Sequence, residues 1–442
     1  MHGQIKANAA IIRLVGIFEH KNPQQCISGF ENIGYRRESL EAETQTFLKN
    51  TFYPEFRDLM FLGIENSSAT ILKRKEDINV TFIKEQFSGD IHVQTKLADI
   101  ELYIFKNGLH FFSLQLDPLH LELEKLSDLM YCARDFKTEI FLSDKKEHWI
   151  NWLETELLNG IQISSKDKQK VHVDEFSGSK FKLFSVIDIP ELENNIDVET
   201  REKLLYDLGT VSMIGSAGGN SYHSPSQAYL ELLMKDKISV FNNYTILPLF
   251  DSFTTLGNNL LTANYPQGVI DKVRSWSQTY FRIYLYNIFI KYNLFRYNLE
   301  MGDDSVKVRD EFESFLNTYN LSHISYNFLP NLLFHQHRKG LQIDEELQKF
   351  QERINRISQA IQEEAQKRSN LLLTFVGAMT SISGLQPLLE YLEIGRKNLG
   401  FGYLSYYPLL LVLLFMLAIP VLAYLFPEKK KQLLKKWKQR KA

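Results

Sequence analysis

Residues Leu371–Leu389 read LLLTFVGAMTSISGLQPLL. The nineteen residues carry no charge, enough for a helix to cross about 30 Å of hydrocarbon. Yet Thr374, Thr380, Ser381, Ser383, Gln386 and Pro387 make the stretch more polar than a plain lipid anchor. It either spans a bilayer or forms a buried or interfacial helix, and the choice decides the fold.

Downstream, FGYLSYYPLLLVLLFMLAIPVLAYLFP (Phe401–Pro427) is uncharged and longer than a span requires, with Tyr403, Tyr406, Tyr407 and Tyr424 placed like interfacial aromatic belts. The tail that follows, EKKKQLLKKWKQRK (Glu428–Lys441), holds eight Lys or Arg against one Glu, which the positive-inside bias places in the cytosol. A single crossing would put about 400 preceding residues outside, although MHGQIKANAAIIRLVGIFEHKN has neither the basic leader nor the cleavage site of a secretory signal. Two crossings remove the conflict. The expectation is a multi-pass protein of the inner (plasma) membrane with both termini cytoplasmic: transmembrane helix 1 over 371–389, an outer loop over 390–402, transmembrane helix 2 over 403–426 and a basic tail over 427–442.

On a helix, Thr374, Gly377, Ser381 and Gly384 share one face of small or polar groups. Such a face either packs closely on a neighbouring helix or lines a wet path, so these four residues are the candidate pore lining. Either role needs neighbours, which implies a homo-oligomer in a lipid bilayer.

Upstream, 331–370 reads as a long stalk helix. LQIDEELQKFQERINRISQAIQEEAQKRSN lacks Pro and Gly, and Ile343, Leu347, Phe350, Ile354, Ile357 and Ile361 step by four and three like a heptad seam. The seam packs within one subunit or against another long helix.

Residues 1–195 read as a mixed α/β cytosolic domain. In ADIELYIFKNGLHFFSLQLDP, Asn107-Gly108 between two apolar-rich runs signals a hairpin. Ser68–Phe87 predicts a further strand pair, KVHVDEFSGSKFKLFSVIDIP another strand, and helices are expected over Leu119–Phe136 and Lys146–Leu158. Residues 196–330 read as a helical cytosolic section. The fold class expected is therefore an α+β cytosolic domain followed by a helical section, one very long helix and a C-terminal two-helix transmembrane hairpin.

Two stretches offer candidate ligand contacts. MIGSAGGNSYHSPSQ (Met213–Gln227) is rich in Gly and Ser and either presents backbone amides to a phosphate, through Gly218, Gly219, Asn220, Ser221 and His223, or is a connecting loop; it is neither a Walker loop nor a GxGxxG turn. SWSQTYFRIYLYNIFIKYNLFRYN (Ser275–Asn298) interleaves aromatics with Arg282, Lys291 and Arg296, so Arg282 and Arg296 join the candidate ligand site, unless the segment is a buried core helix. His223 and the His335-x-His337 pair lack metal spacing, no hydrolase, zinc-protease or deaminase signature is present, and no enzyme activity is expected. Lys and Arg number 51 against 53 Asp and Glu, so direct nucleic-acid binding is not expected. The two cysteines, Cys26 and Cys132, suit unpaired thiols in a reducing compartment.

An α/β domain, a helical section, a very long helix, two spans at the extreme C-terminus and a lysine-rich tail resemble the CorA family of magnesium channels, most closely from Leu341 to Ala442. That family carries Gly-Met-Asn at the outer end of its first span; here the counterpart is Gly384-Leu385-Gln386, followed by Pro387. The chain is thus similar to divergent members lacking the triplet, among them membrane effectors of type III CRISPR antiviral defence. The resemblance implies an ion channel or pore gated by a nucleotide second messenger, such as a conjugate of S-adenosylmethionine and AMP, bound to the cytosolic domain. Its alternatives are a divalent-cation transporter of the CorA family, with Asp303-Asp304 and Asp310-Glu311 as candidate metal carboxylates, and a non-conducting scaffold.

Overall fold

The computed structural model describes residues 5–397, apart from 39, 41, 63–68, 86–88, 143–144, 164–177, 191–195, 220–223, 262–271 and 301–304. The chain divides into two compact units, Met1–Phe350 and Gln351–Ala442.

The first unit is built on one ten-stranded mixed sheet. Its strands are β1 (Ala9–Glu19), β2 (Arg36–Arg37), β3 (Ala69–Lys84), β4 (Ile91–Phe105), β5 (Leu109–Pro118), β6 (Glu139–Leu142), β7 (Lys145–His148), β8 (Lys182–Asp188), β9 (Tyr244–Pro248) and β10 (Ser252–Gly257). Their order across the sheet is β7-β6-β3-β4-β5-β1-β8-β10-β9, with β2 paired to β3. All neighbours are antiparallel except β8 and β10. The Asn107-Gly108 turn joins β4 to β5 as the sequence predicts: Gly108 takes φ +81° and the Asn107 Oδ1 accepts the Leu109 N–H at 3.2 Å.

Two segments depart from expectation. Within the stretch expected to hold a strand pair, Ala69–Lys84 is one long strand, because no Gly or Pro breaks it; β3 shifts register by a bulge between Lys75 and Ile78. Tyr244–Gly257, expected in the helical section, forms a hairpin whose tip is Phe250-Asp251. Its β10 continues the sheet alongside β8, so the sheet draws strands from both sides of residue 195.

The helices are α1 (Pro23–Asn32), α2 (Ala42–Thr51), α3 (Leu123–Ala133), α4 (Val198–Thr210), α5 (Gln227–Met234), α6 (Phe281–Glu300), α7 (Ser305–Tyr319), α8 (Phe328–Gly340) and α9 (Ile343–Lys397). Strand alternation sends odd residues of β1, β4 and β5 to one sheet face and even residues to the other. On the even face Phe18 meets Phe30 of α1, and the Phe112 ring lies so close over Gly16 that a Cβ there would fall 2.0 Å from its Cζ. On the odd face lies α6, whose residues from Phe281 to Leu294 are all buried. Phe289 stacks on Phe105 with centroids 4.2 Å apart, and Phe281 meets Phe184 edge-on at 5.4 Å. The aromatic-rich Ser275–Asn298 is therefore the central core helix of the unit.

The membrane expectation is corrected here. Among the described residues no helix is long and apolar enough to cross a membrane. Residues 371–389 lie on α9, a 55-residue helix that stays charged through Arg368 and whose following run is broken by hydroxyls. Thr374 and Thr380 turn those hydroxyls onto carbonyls of their own helix, at 2.7 Å to Asn370 and 2.9 Å to Val376. The two-helix transmembrane hairpin, the membrane-channel class and the multi-pass placement in the inner membrane are accordingly not supported. The expected loop over 390–402 is helical as far as Lys397. Residues 403–426 and 427–442, the expected second span and tail, lie outside the described residues.

Candidate functional site

A charge in a strand covered on both faces needs a partner, because burial penalises the ionised form. Three strands of this sheet carry such a charge inside apolar runs: Arg13 in IIRLV, Glu101 in IELYI and Lys182 in FKLFS, each no more than 2% exposed. Cross-strand register places Lys73, Glu101, Ser113, Val15 and Lys182 side by side in one row across β3, β4, β5, β1 and β8 on the face under α6. With strands about 4.8 Å apart, the row is roughly 19 Å long.

Most of its charge gathers beneath the start of α6. Arg282 of that helix donates from Nη2 to Glu38 Oε2 at 2.6 Å and stands 4.0 Å from Glu101 Oε2. Lys73 Nζ bridges the two carboxylates, 2.8 Å from Glu38 and 2.9 Å from Glu101. Arg13 reaches Glu101 at 3.5 Å, Gln115 Oε1 at 2.9 Å and Ser113 Oγ at 3.4 Å. The Tyr103 hydroxyl donates to Glu101 at 2.5 Å. Aromatic faces complete the enclosure: Phe281 lies 4.7 Å from the Arg13 guanidinium carbon and Phe61 lies 4.9 Å from that of Arg282.

Three cations thus share two carboxylates in a cluster buried except at Lys73. Burial alone would raise the Glu101 carboxyl, but Arg13, Lys73, Arg282 and the Tyr103 hydrogen bond outweigh it and hold the group well below the usual carboxylate range. Burial likewise opposes the Arg282 charge and is outweighed by Glu38, Tyr103 and Glu101. The Tyr103 hydroxyl is pushed far up by burial and by Glu101. Even so, Arg282 Nε and Nη1 and Arg13 Nε have no hydrogen-bond partner among the described residues. Buried donors are nearly always satisfied, so three left over in one place are hydrogen-bonding capacity that the cluster's own acceptors do not meet. Lys73, 29% exposed at its side chain, is the member that opens to solvent.

Of the residues singled out in sequence, Arg282 sits at the centre of this cluster. Arg296 lies four turns further along α6, about 21 Å away along its axis, and faces Glu300 at 4.0 Å. Gly218 and Gly219 occupy a tight turn and donate their N–H groups to Gly215 and Ser216 carbonyls. The preceding amides of Gly215 and Ala217 are held by the Asp207 carboxylate, each at 2.8 Å, so the chain's own side chain sits where an anion would. Asn220, Ser221 and His223 lie outside the described residues, as do Asp303 and Asp304. Thr374 and Gly377 lie on α9, as do Ser381 and Gly384, whose side chains are not among those described.

His337 packs wholly buried against Tyr284 and Phe253, and burial pushes its imidazole down to about 3. Asp310 and Glu311 pair with Arg309 and Lys307. Cys26 and Cys132 are free thiols pushed up to about 12 by burial. No group of three or more His, Cys, Asp or Glu side chains among the described residues is placed to hold a metal ion. Arg13, Glu38, Lys73 and Glu101 escaped the sequence analysis. For Arg13 and Glu101 the signal was there, a lone charge inside a run of strand-forming apolar residues.

Comparison with protein-family models, with curated proteins and with solved structures finds no match for this chain.

Proposed function

We propose that the first unit is a binding module for a phosphate-bearing small molecule, held by Arg13, Lys73 and Arg282. The observation that carries this is the Arg282 guanidinium, fully buried with two unpaired N–H groups beside the unpaired Nε of Arg13, in a cluster whose cations outnumber its carboxylates. A phosphate offers several acceptor oxygens and close to two negative charges, which suits donors that two carboxylates leave over. Phe61, Tyr103 and Phe281 border the same guanidinium groups and favour their charge through the ring faces. The ligand class we infer is a nucleotide messenger, as the resemblance stated at the outset implies, and the role is sensing by binding rather than catalysis.

The test is thermal unfolding of the whole chain with a panel of mono- and dinucleotides and S-adenosylmethionine conjugates. A ligand of this site raises the midpoint in proportion to the logarithm of its concentration. Lys73→Gln, at the solvent-facing side of the cluster, weakens that shift at least tenfold in concentration. A panel that leaves the midpoint unmoved, or a shift indifferent to Lys73→Gln, defeats the proposal. We also infer self-association through α9, where Ile357 is half-buried and Ile361 is 39% exposed on the heptad seam; sedimentation showing only monomer defeats that part.

A further inference from the structure

The far end of the charged row holds a second cluster, where the β9–β10 hairpin tip meets β8. Asp251 at that tip places Oδ1 2.6 Å from Lys182 Nζ and Oδ2 3.7 Å from Arg134 Nη2. Lys182, Arg134 and Lys180 all help hold its carboxyl below the usual range, against the opposing effect of burial. Asp251 is thus the carboxylate at which these three cations converge.

Exposure is distributed in an unusual way. The Lys182 side chain is 2% exposed, whereas that of Asp251 is 45% exposed. The cation is built in and the anion stands at the door. Burial brings the Lys182 ammonium down to about 8 despite Asp251, and Arg134 and Lys291 add to that push. The backbone of the tip is pinned, with the Leu249 N–H bonded to the Ser252 carbonyl at 2.8 Å and the Asp251 carbonyl accepting the Leu183 N–H at 2.9 Å. With the backbone held, Asp251 can leave Lys182 by rotation of its side chain alone.

Two neighbours point to an outside ligand. Phe250, the other tip residue, keeps 39% of its surface exposed while its ring lies 3.6 Å from Lys182 Nζ and 5.7 Å from Lys291 Nζ. Tyr284 of α6 is fully buried, feels the charges of Asp251 and Arg134, and its hydroxyl has no hydrogen-bond partner among the described residues.

We propose that the Asp251 side chain is an internal plug on an anion site formed by Lys182, Arg134 and the Tyr284 hydroxyl, and that the occupant displacing it is a nucleoside monophosphate group with its base on Phe250. A phosphate monoester brings close to two charges where Asp251 brings one, and its oxygens outnumber those of a carboxylate. The base adds stacking on an aromatic face already exposed, worth about 1–3 kcal/mol. The site uses none of the residues of the first cluster and stands or falls separately from it.

The experiment is calorimetric titration of the full chain with AMP, ribose 5-phosphate, adenosine and inorganic phosphate. Asp251→Asn removes the competing charge and keeps the shape, so AMP binds the variant at least tenfold more tightly than the parent, while adenosine affinity is unchanged. Phe250→Ala in that background brings AMP down to the affinity of ribose 5-phosphate. A carboxylate serving only as a structural partner predicts the reverse, namely AMP binding that stays undetectable or weakens in Asp251→Asn with a parent-like circular dichroism spectrum, and that result overturns the proposal. Lys73→Gln is the control: the gain from Asp251→Asn persists in its presence, and a gain abolished by it assigns the binding to the first cluster and overturns this one.

Discussion

Replacing Glu101 by Gln tests whether the buried cluster is as charge-dependent as its geometry implies. Glu101 receives Lys73 at 2.9 Å, Arg13 at 3.5 Å, Arg282 at 4.0 Å and the Tyr103 hydroxyl at 2.5 Å. A glutamine fits the space and still accepts from Tyr103, but Lys73 and Arg282 are then left with Glu38 as their anionic partner, and Arg13 keeps only the neutral Gln115 and Ser113. Removing one partner of a buried ion pair typically costs about 3–5 kcal/mol, because the remaining charge stays desolvated. The first unit spans Met1–Phe350, and at about 2.1 cal/mol/K per residue its unfolding entropy is roughly 0.7 kcal/mol/K, so the midpoint falls by about 4–7 °C. Differential scanning calorimetry reads this directly. Repeating the scan in phosphate rather than Tris at equal ionic strength extends the test, since a site short of one carboxylate is stabilised by phosphate more than the parent is. A midpoint within about 1 °C of the parent, with no added response to phosphate, would show that the cluster is solvated and that its unpaired donors already have water.

Three further outcomes follow from the coordinates. Gly16→Ala puts a methyl 2.0 Å from Phe112 Cζ, in a ring packed against Phe18 and Phe181; overpacking of this kind costs about 1–3 kcal/mol, and a variant as stable as the parent in urea would mean the ring moves freely. Asp207 is raised from 3.8 to about 6 by burial, against the bonds it accepts from the Ala217, Gly215 and Ser216 amides. The native state therefore keeps a proton that the unfolded chain loses above about pH 4, so the contribution of this group to stability is fully present below that pH and is lost as pH rises through 6, by about 3 kcal/mol in all; the stability difference between the parent and Asp207→Asn, followed in urea from pH 4 to 7, should decline over that window, and a flat difference would refute the assignment. Tyr284→Phe deletes a buried hydroxyl without a hydrogen-bond partner among the described residues, so stability rises by about 1 kcal/mol, and a loss of that size would reveal a bond to water.

Local signals carried parts of the fold well. Asn107-Gly108 signalled the β4–β5 hairpin, where Gly108 takes the positive φ, and α9 from Ile343 to Asn370 was legible from the absence of Pro and Gly there and from its heptad stepping. The β9–β10 hairpin was not legible, since its tip is Phe250-Asp251, an aromatic residue before an Asp with no Gly to mark a two-residue turn. Composition also misled. An uncharged run at 371–389 satisfies the length rule for a membrane span, but none of the described helices is long and apolar enough to cross a membrane.

The sequence by itself placed the positions of Glu101 and Lys182 inside apolar-rich strand runs, whereas the run around Arg13 was not read as a strand. That Glu101 and Lys182 fall in a single row with Lys73 under α6, that Arg13 lies two residues along β1 on the same face, and that Arg282 and Glu38 are brought from 244 residues apart to within 2.6 Å, was decided only by the pairing of β1, β3, β4, β5 and β8. Strand register is a long-range property: a slip of one residue would send every one of these side chains to the opposite face, and no local preference of the chain encodes which strand a given strand will meet.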